Sequence, residues 1–325
     1  MLANAQDRPD WRHVARLAPA ASPLYLSCED GTAPAAPSPR RAAVFPTTGV
    51  ATLRSGWQTE DLFAGLKSGP STVGHSHLDA NSFVLEAAGQ PLVIEHPYWP
   101  QAHFLGFFDP AALRWNFDGP ATVGHSTLLV DGQGQTWGDG RDGRILGAEA
   151  GAAWAMAVGE AADCYPGLLR QFTRTLLIAG RDTVVIRDVI RCEGERHIEW
   201  LLHYAGDIRS DGILSVIENA GVRLTVQPLL PDRGQGWRWS DVTRTSLYEC
   251  SDTRQPVTRQ VRYRSFSPFR RAAQVEFLFL LRVNPSGGDD GMAFSGEAGA
   301  WRLAVPGSGC TVAPCGDRLV CTPMP

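Results

Sequence analysis

Lysine is almost missing from this sequence: Lys67 is the only one among 30 Lys and Arg residues. Because arginine binds carboxylates through a planar pair of hydrogen bonds, such a composition favours an acidic ligand. A high-GC coding bias gives the same composition, so both explanations stay open. There is no long run of basic residues, and the formal charge of −4 comes from interspersed acids and bases. Nucleic acid is therefore not an expected partner.

Long apolar runs and closely paired cysteines are also missing. No stretch reaches the roughly 18 apolar residues that a membrane-spanning helix needs. The N-terminus, MLANAQDRPDWRHVARLAP, carries charges where a signal peptide requires an apolar run. The seven cysteines occur without the CxxC pairs of a zinc knuckle or redox motif. The sequence therefore predicts no membrane span and shows no signal peptide, while cysteine usage leaves the compartment undecided.

The residues that are present predict a folded, all-β chain. Apolar residues make up 43% and charged residues 20%, with 34 Gly and 23 Pro, which is typical of a globular chain with many turns. From residue 44 onward, β-branched and aromatic runs alternate with turn signals such as Ala88-Gly89 and Asp131-Gly132. This spacing predicts a large antiparallel β-sandwich, or supersandwich. The candidate strands are Val50–Ser55, Leu62–Lys67, Ser82–Ala87, Pro91–Ile94, Ser126–Val130, Trp154–Val158, Arg170–Ile178, Thr183–Arg191, His197–Tyr204, Val222–Gln227, Ala272–Leu281 and Trp301–Val305.

Composition divides the chain into two parts. Residues 1–44 contain a short candidate helix over residues 8–18 and a Pro- and Ala-rich linker over residues 28–43. Residues 45–325 form the predicted sandwich domain. Because this helical remnant and linker follow the first residue directly, we expect a further segment to precede the sandwich in the complete protein.

Three histidines, His75, His77 and His125, form the candidate chemical centre. His75 and His77 stand two residues apart, and an extended backbone would project both imidazoles to one face. Such a pair also arises by chance. The next strand delivers Glu95 to a turn, either as a ligand or as an ordinary solvated strand end. Together, His77, Glu95 and His125 supply the two nitrogens and one oxygen of a zinc site, provided that the fold brings them together.

The segment TVGHS occurs twice, as Thr72–Ser76 and as Thr122–Ser126. Five residues are too few to establish a structural repeat. Both copies contain a candidate histidine, however, so the echo is of chemical interest.

Several segments also occur in an order that matches one known family. HSHLDANSF at residues 75–83 matches the pattern HxHxD…SF, and GQPLVIE at residues 89–95 matches a G-x-P-L-hydrophobic-D strand except for its final Glu. Trp115-Asn116 and then GHSTLLVDG at residues 124–132 are similar to an HNT-hydrophobic-VDG segment. With the framework strands at 170–188 and 198–203, roughly residues 45–305 resemble the C-terminal β-sandwich domain of the heparinase II/III-like polysaccharide lyases, which are related to alginate and oligoalginate lyases.

The resemblance implies a role for each matched residue. His75 aligns with the histidine that lines the substrate cleft and takes part in proton transfer or neutralises the uronate. His77 and His125 align with zinc ligands beneath the cleft. Glu95 stands where the family has an aspartate ligand, so the backbone must absorb one more methylene if zinc is to bind. The implied zinc is structural and supports the shape of the cleft.

The implied reaction is β-elimination in a uronic-acid polysaccharide, such as a glycosaminoglycan or alginate. A base removes the proton α to the carboxylate, the 4-O-glycosidic bond breaks, and a cation, a protonated side chain or a metal offsets the developing charge. The expected partner is an acidic polysaccharide or oligosaccharide. The family implies a periplasmic or cell-envelope location. Tyr98, Arg114 and Trp115 are the candidate substrate-binding residues.

The family places an α/α-toroid domain before the sandwich, and the tyrosine that acts as acid or base belongs to that toroid. We expect the toroid to be missing from this chain, because residues 1–44 accommodate only one helix and a linker. Two functions stay open: a lyase or its β-sandwich part, and a non-catalytic glycan-binding module left by truncation. Trp115 suits sugar stacking in either case, although large aromatic residues more often serve the core.

Overall fold

The computed structural model describes residues 40–96, 106–111, 113–231, 236–249, 253, 255–284, 292–305 and 309–323. The chain divides between Arg40 and Arg41 into two units, and every strand of the described residues belongs to the second. The predicted N-terminal helix and most of the linker lie outside the described residues, and the domain boundary predicted after residue 44 stays a prediction. Within these ranges, no helix has the length and apolarity needed to cross a bilayer.

Antiparallel strands make up most of the described chain, so the predicted all-β fold is confirmed. In chain order the strands are β1 (Ala42–Phe45), β2 (Val50–Arg54), β3 (Phe63–Lys67), β4 (Ser82–Ala87), β5 (Gln90–Val93), β6 (Leu128–Val130), β7 (Arg144–Ala150), β8 (Trp154–Glu160), β9 (Leu169–Ala179), β10 (Thr183–Arg196), β11 (Ile198–His203), β12 (Asp207–Asp211), β13 (Leu214–Asn219), β14 (Val222–Leu230), β15 (Trp237–Glu249), β16 (Pro256–Pro268), β17 (Ala272–Val283), β18 (Ala293–Glu297), β19 (Ala300–Val305), β20 (Cys310–Cys315) and β21 (Arg318–Pro323). Short 3-10 turns occur at Arg114–Asn116, Thr122–Gly124 and Ala162–Cys164.

The strands of the described residues form four sheets. The largest has eight strands in the order β12-β13-β14-β17-β10-β9-β8-β7. A five-stranded sheet follows the chain order from β1 to β5, and a four-stranded sheet has the order β15-β16-β11-β6. The C-terminal sheet contains β18 to β21 in chain order.

The eight-stranded sheet is the middle layer because its central strands are apolar on both faces. In β9, Phe172 and Leu176 belong to one core and Leu177 to another, as the period of two along a strand requires. The larger core is shared with the five-stranded sheet and with β6, β11 and β16. The smaller core is shared with the C-terminal sheet, which contributes Trp301 and Leu303. The result is the large layered β-sandwich that the sequence predicts.

A buried ion pair fastens the C-terminal sheet to the middle layer. Arg187 Nε donates to Glu276 Oε1 at 2.7 Å, and the Trp301 indole N–H donates to the same oxygen at 2.8 Å. Arg187 Nη1 also donates to the carbonyls of Gly316 and Arg318. Since charged groups in a core need partners with fixed geometry, these contacts define where the C-terminal sheet docks.

Two predicted turns are confirmed as two-residue hairpin loops. Ala88-Gly89 joins β4 to β5, and Asp131-Gly132 follows β6; both residues of each loop have positive φ, as a type I′ turn requires. The sequence does not predict β15 and β16, which are both 13 residues long. Arg, Ser and Thr occupy nearly half of their positions, so the alternation of apolar residues is too weak to reveal them.

Candidate active site

The loop between β3 and β4 carries His75 and His77, and a buried glutamine holds its C-terminal end. The Gln135 side chain accepts a hydrogen bond from the Ala80 N–H at 2.9 Å and donates to the Ala80 carbonyl at 2.8 Å. An amide that serves as acceptor and donor to the same residue fixes the backbone direction there. No sequence pattern singles out Gln135. The C-terminal end of this loop, which we call the histidine loop, is therefore held in place by hydrogen bonds within the protein.

Arg114 holds the middle of the same loop. Its guanidinium donates twice to the Ser76 carbonyl, at 2.7 Å from Nη2 and 3.2 Å from Nε, and once to the Phe107 carbonyl at 3.1 Å. The residue is 4% exposed. Arg114 is thus a positioning residue for the histidine loop. The substrate contact predicted for it stays a prediction, and these bonds leave little of the guanidinium for a ligand.

His75 is the exposed histidine of the loop. Its backbone has φ 61°, in the left-handed region, so the extended backbone that would project both imidazoles to one face is not present at His75. The two histidines consequently differ in exposure, because His77 is half-buried. The His75 ring meets the edge of Phe108 at a centroid distance of 5.6 Å. A left-handed non-glycine residue costs about 1–3 kcal/mol, and such strain concentrates at ligand and catalytic sites.

Of the three residues predicted to bind a metal, His125 lies beside both His77 and Glu95. The rings of His77 and His125 have centroids 5.2 Å apart and are tilted by 44°. The Glu95 carboxylate contacts Nδ1 of His125 through Oε2. Three separate segments deliver these side chains: the β3–β4 loop, the chain after β5, and the turn at Thr122–Gly124. The fold thus brings His125 into contact with one residue from each of the other two segments.

The two histidines of this group differ in their electrostatics. Burial, together with the neighbouring His125, lowers the pKa of His77 to about 4, so its imidazole is neutral at neutral pH. Burial alone would lower the pKa of His125 too, but the charge and hydrogen bond of Glu95 raise it above its usual value. Nε2 of His125 is buried and has no hydrogen-bond partner among the described residues. Since a buried ring nitrogen normally has a partner, the unpaired nitrogen fits a zinc ligand.

In the described ranges, no group of three or more His, Cys, Asp or Glu side chains is arranged to hold a metal ion. Glu95 contacts Nδ1 of His125, which is how a carboxylate orients a histidine whose other nitrogen binds a metal. The zinc site, with Glu95 as a direct ligand, stays a prediction. The nitrogens available to such an ion are those of His77 and Nε2 of His125.

The two TVGHS segments take different conformations. Around exposed His75, the position of a Cβ on Gly74 has no described atom within 4 Å. In the second copy, Thr122–Gly124 forms a 3-10 turn, and a Cβ on Gly124 would lie 2.2 Å from the Asp118 carbonyl oxygen. This close approach, which glycine alone allows, leads into buried His125. The echo is therefore no structural repeat: one copy presents a histidine to solvent and the other buries one.

Of the two aromatic residues predicted to bind substrate, Trp115 and Tyr98, only Trp115 lies within the described residues. Trp115 is half-buried, its indole N–H donates to the Pro110 carbonyl at 2.8 Å, and its ring centroid lies 6.5 Å from that of Trp137. The Trp115 residue is partly exposed, and its stacking on a sugar stays a prediction. Tyr98 lies outside the described residues.

A buried ion pair connects both histidine segments to the middle sheet. Arg174 and Asp188 face each other across β9 and β10, with Nε–Oδ1 at 2.8 Å and Nη2–Oδ2 at 2.6 Å. Both side chains are 0% exposed. The remaining Nη1 donates to the carbonyls of Asn81 and Ser126, each at 2.6 Å. Because Asn81 closes the histidine loop and Ser126 follows His125, one guanidinium fixes the backbone at both places.

Two further buried groups near the site are satisfied within the framework. The Tyr165 hydroxyl donates to the Leu128 carbonyl at 2.8 Å, and burial raises its pKa above the ordinary value. Burial, followed by the charge of His125, lowers the pKa of His203 to about 3, and its Nε2 lies 2.9 Å from the Val123 carbonyl. His203 is 1% exposed. These groups support the site from within the core.

The fold and the site agree with one protein family. A family model described as "Heparinase II/III-like, C-terminal" matches residues 37–286. The chain belongs to this family, as the motifs predict. A search of curated proteins finds no match.

Three solved structures with a similar fold are named as a heparan sulfate lyase or as heparinase III. Heparan sulfate lyase HepC from Pedobacter heparinus is 17% identical with a TM-score of 0.66, over 99% of this chain and 48% of that one. The heparinase III BT4657 gene product is 14% identical with a TM-score of 0.64, over 98% of this chain and 48% of that one. A further heparinase III is 16% identical with a TM-score of 0.65, over 93% and 45%. At these identities the likeness shows the fold, and the chain spans about half the length of each relative.

Proposed function

We propose that this chain is the β-sandwich part of a lyase that cleaves uronic-acid polysaccharides by β-elimination, with His75 as the side chain that meets the substrate. The observation that carries the proposal is the state of His75. It is exposed and held in a left-handed conformation, on a loop that Arg114 holds at Ser76 and Gln135 holds at Ala80. A group held in place in this way avoids the entropic cost of ordering it during reaction.

The proposed chemistry uses an imidazole where negative charge develops. A base takes the proton α to the uronate carboxylate, the electron pair forms a double bond to the neighbouring carbon, and the 4-O-glycosidic bond breaks. The leaving oxygen receives a proton. His75 takes part in this proton transfer or offsets the charge on the carboxylate. By the family resemblance, the second acid–base group is a tyrosine of a toroid domain.

We further propose that zinc binds at His77, Glu95 and His125 and supports the histidine loop. When bound, zinc supplies fixed positive charge and a rigid anchor for its ligands. We expect purified protein to carry about one zinc per chain, and His77→Ala to lose the metal and melt at a lower temperature. Elemental analysis and thermal denaturation measure both effects, with His197→Ala just before β11 as the control. Protein that retains no zinc after incubation with the ion, together with unchanged stability in His77→Ala, would reject this site.

The proposed substrate is an acidic polysaccharide. The names of the similar structures, a heparan sulfate lyase and heparinase III enzymes, favour a glycosaminoglycan as the first substrate to test and alginate as the second. Since the chain spans about half of those proteins, this remains a proposal about the chain's contribution to such an enzyme. A periplasmic or cell-envelope location is proposed from the same resemblance.

A polymer panel tests the reaction. Because the proposed second acid–base group belongs to a toroid domain, the assay uses this chain joined to that domain. We expect this protein to raise the absorbance of unsaturated uronate products with at least one of heparosan, heparan sulfate and alginate, and to leave neutral dextran unchanged. A flat trace with all uronate polymers contradicts the lyase proposal. If glycan binding then survives His75→Ala, the alternative of a non-catalytic binding module is favoured.

A further inference from the structure

Lys67, the only lysine of the chain, lies at the start of the histidine loop. It is the last residue of β3, while 30 Lys and Arg residues in total supply the basic charge of the protein. The ammonium is a compact charge with three donors that can point in different directions, unlike the planar fork of arginine. The Lys67 ammonium lies close to the backbone of Gly69, because a Cβ added to Gly69 would be 2.9 Å from Nζ.

The ammonium has a counter-ion but is not enclosed by it. Nζ lies 3.4 Å from Asp79 Oδ1, and the two side chains are 28% and 17% exposed. This distance is long for a charge-assisted hydrogen bond, so the pair leaves donor capacity on Nζ. Lys67 also lies near enough to His77 and His125 for its positive charge to act against protonation of both, which is a lowering contribution to each pKa. The cation thus belongs to the same cluster as the histidines.

Three arginines near the site, unlike Lys67, use their guanidinium groups in hydrogen bonds within the protein. Arg114 donates to two carbonyls and is 4% exposed. Arg174 is 0% exposed and bonded to Asp188, and Arg244 is held by both oxygens of Asp118 at 3.1 and 3.0 Å. Lys67, with one long contact and a partly exposed side chain, differs from all three.

We propose that Lys67, whose charge acts on His77 and His125, binds an oxyanion substituent of the glycan, a carboxylate or a sulfate. This inference rests on the proposed function and names a further specificity-determining residue for it. Asp79 holds the ammonium in place, and the ligand oxygen takes the donors that Asp79 does not use. Removing the charge then weakens binding of anionic sugars by about 10- to 100-fold, the range for one charge-assisted hydrogen bond.

The test measures binding by titration calorimetry with the full chain and two ligands: a heparosan oligosaccharide, which carries carboxylates only, and its N-sulfated counterpart. Lys67→Gln should weaken binding, and Lys67→Arg should retain most of it. Equal losses for both ligands assign the carboxylate, whereas a loss confined to the sulfated ligand assigns the sulfate. Arg144→Gln removes an equal charge from an exposed residue that pairs with Asp163 and should leave both affinities unchanged.

Asp79→Asn separates ligand binding from a structural role. If Lys67 acts on the ligand, Asp79→Asn frees the ammonium and keeps or tightens binding. If the pair merely stabilises the loop, Asp79→Asn and Lys67→Gln weaken binding alike, which overturns the inference. Binding by the unaltered chain that Lys67→Gln leaves unchanged overturns it as well. If the unaltered chain binds neither oligosaccharide, the proposed function fails and this inference fails with it.

Discussion

Replacing Arg174 with Met should lower the free energy of unfolding by about 3–5 kcal/mol, the cost of breaking a fully buried ion pair. The substitution leaves the Asp188 carboxylate in the core without its cation, although Trp200 Nε1 still donates to it at 2.7 Å. It also removes the donors that serve the Asn81 and Ser126 carbonyls. Denaturant titration followed by tryptophan fluorescence measures the loss.

Two control variants test whether the loss of stability comes from the buried charge. Arg170→Met changes an arginine of the same strand whose side chain is 68% exposed and paired with Glu193, so we expect no resolvable change in stability. The double variant Arg174→Met with Asp188→Leu should be more stable than Arg174→Met alone, since no unpaired charge stays buried. An Arg174→Met protein as stable as the unaltered chain would show that this network does not hold the site.

The second large effect concerns His75. His75→Ala should slow formation of the unsaturated product by about 100- to 10,000-fold, the contribution typical of a positioned acid or base. Stability should not fall, because the His75 side chain is exposed. Initial rates on the best polymer of the panel measure the effect.

The backbone of His75 supplies a matched control for that loss. Glycine adopts φ 61° without strain, so His75→Gly keeps the loop conformation while removing the imidazole. Both variants should be equally slow if the imidazole matters. Recovery of activity in His75→Gly would instead trace the defect of His75→Ala to the backbone, and would remove His75 from the chemistry.

Sequence patterns predict the core strands well because their burial imposes a period of two. β4 has the predicted bounds, Ser82–Ala87, and the rings of His77 and His125 have centroids 5.2 Å apart. The same alternation could also have predicted a buried charge. Phe172, Arg174 and Leu176 share one face of β9, which places the arginine in the core. A buried arginine at such a position implies a carboxylate partner, and Asp188 is paired with it in register.

Other features depend on contacts that no local pattern encodes. Gln135 binds Ala80 across 55 positions of sequence, and neither residue stands out by its neighbours. The backbone at His75 is left-handed, whereas the two imidazoles of a His-x-His pair share a face only on an extended backbone. The two TVGHS copies diverge because only Gly124 is pressed against Asp118. In each case tertiary packing, rather than local sequence, determines where a functional side chain lies.

The mass of the products tests the central claim most directly. β-Elimination adds no water, so the new non-reducing end should be one water lighter than the saturated end that hydrolysis leaves. We predict that mass spectrometry of a uronate oligosaccharide digested by this chain joined to its toroid domain shows such unsaturated ends, and that His75→Ala in the same protein yields almost none at the same time. Saturated ends, or unsaturated ends formed equally fast by His75→Ala, would contradict the assignment of this site to β-elimination.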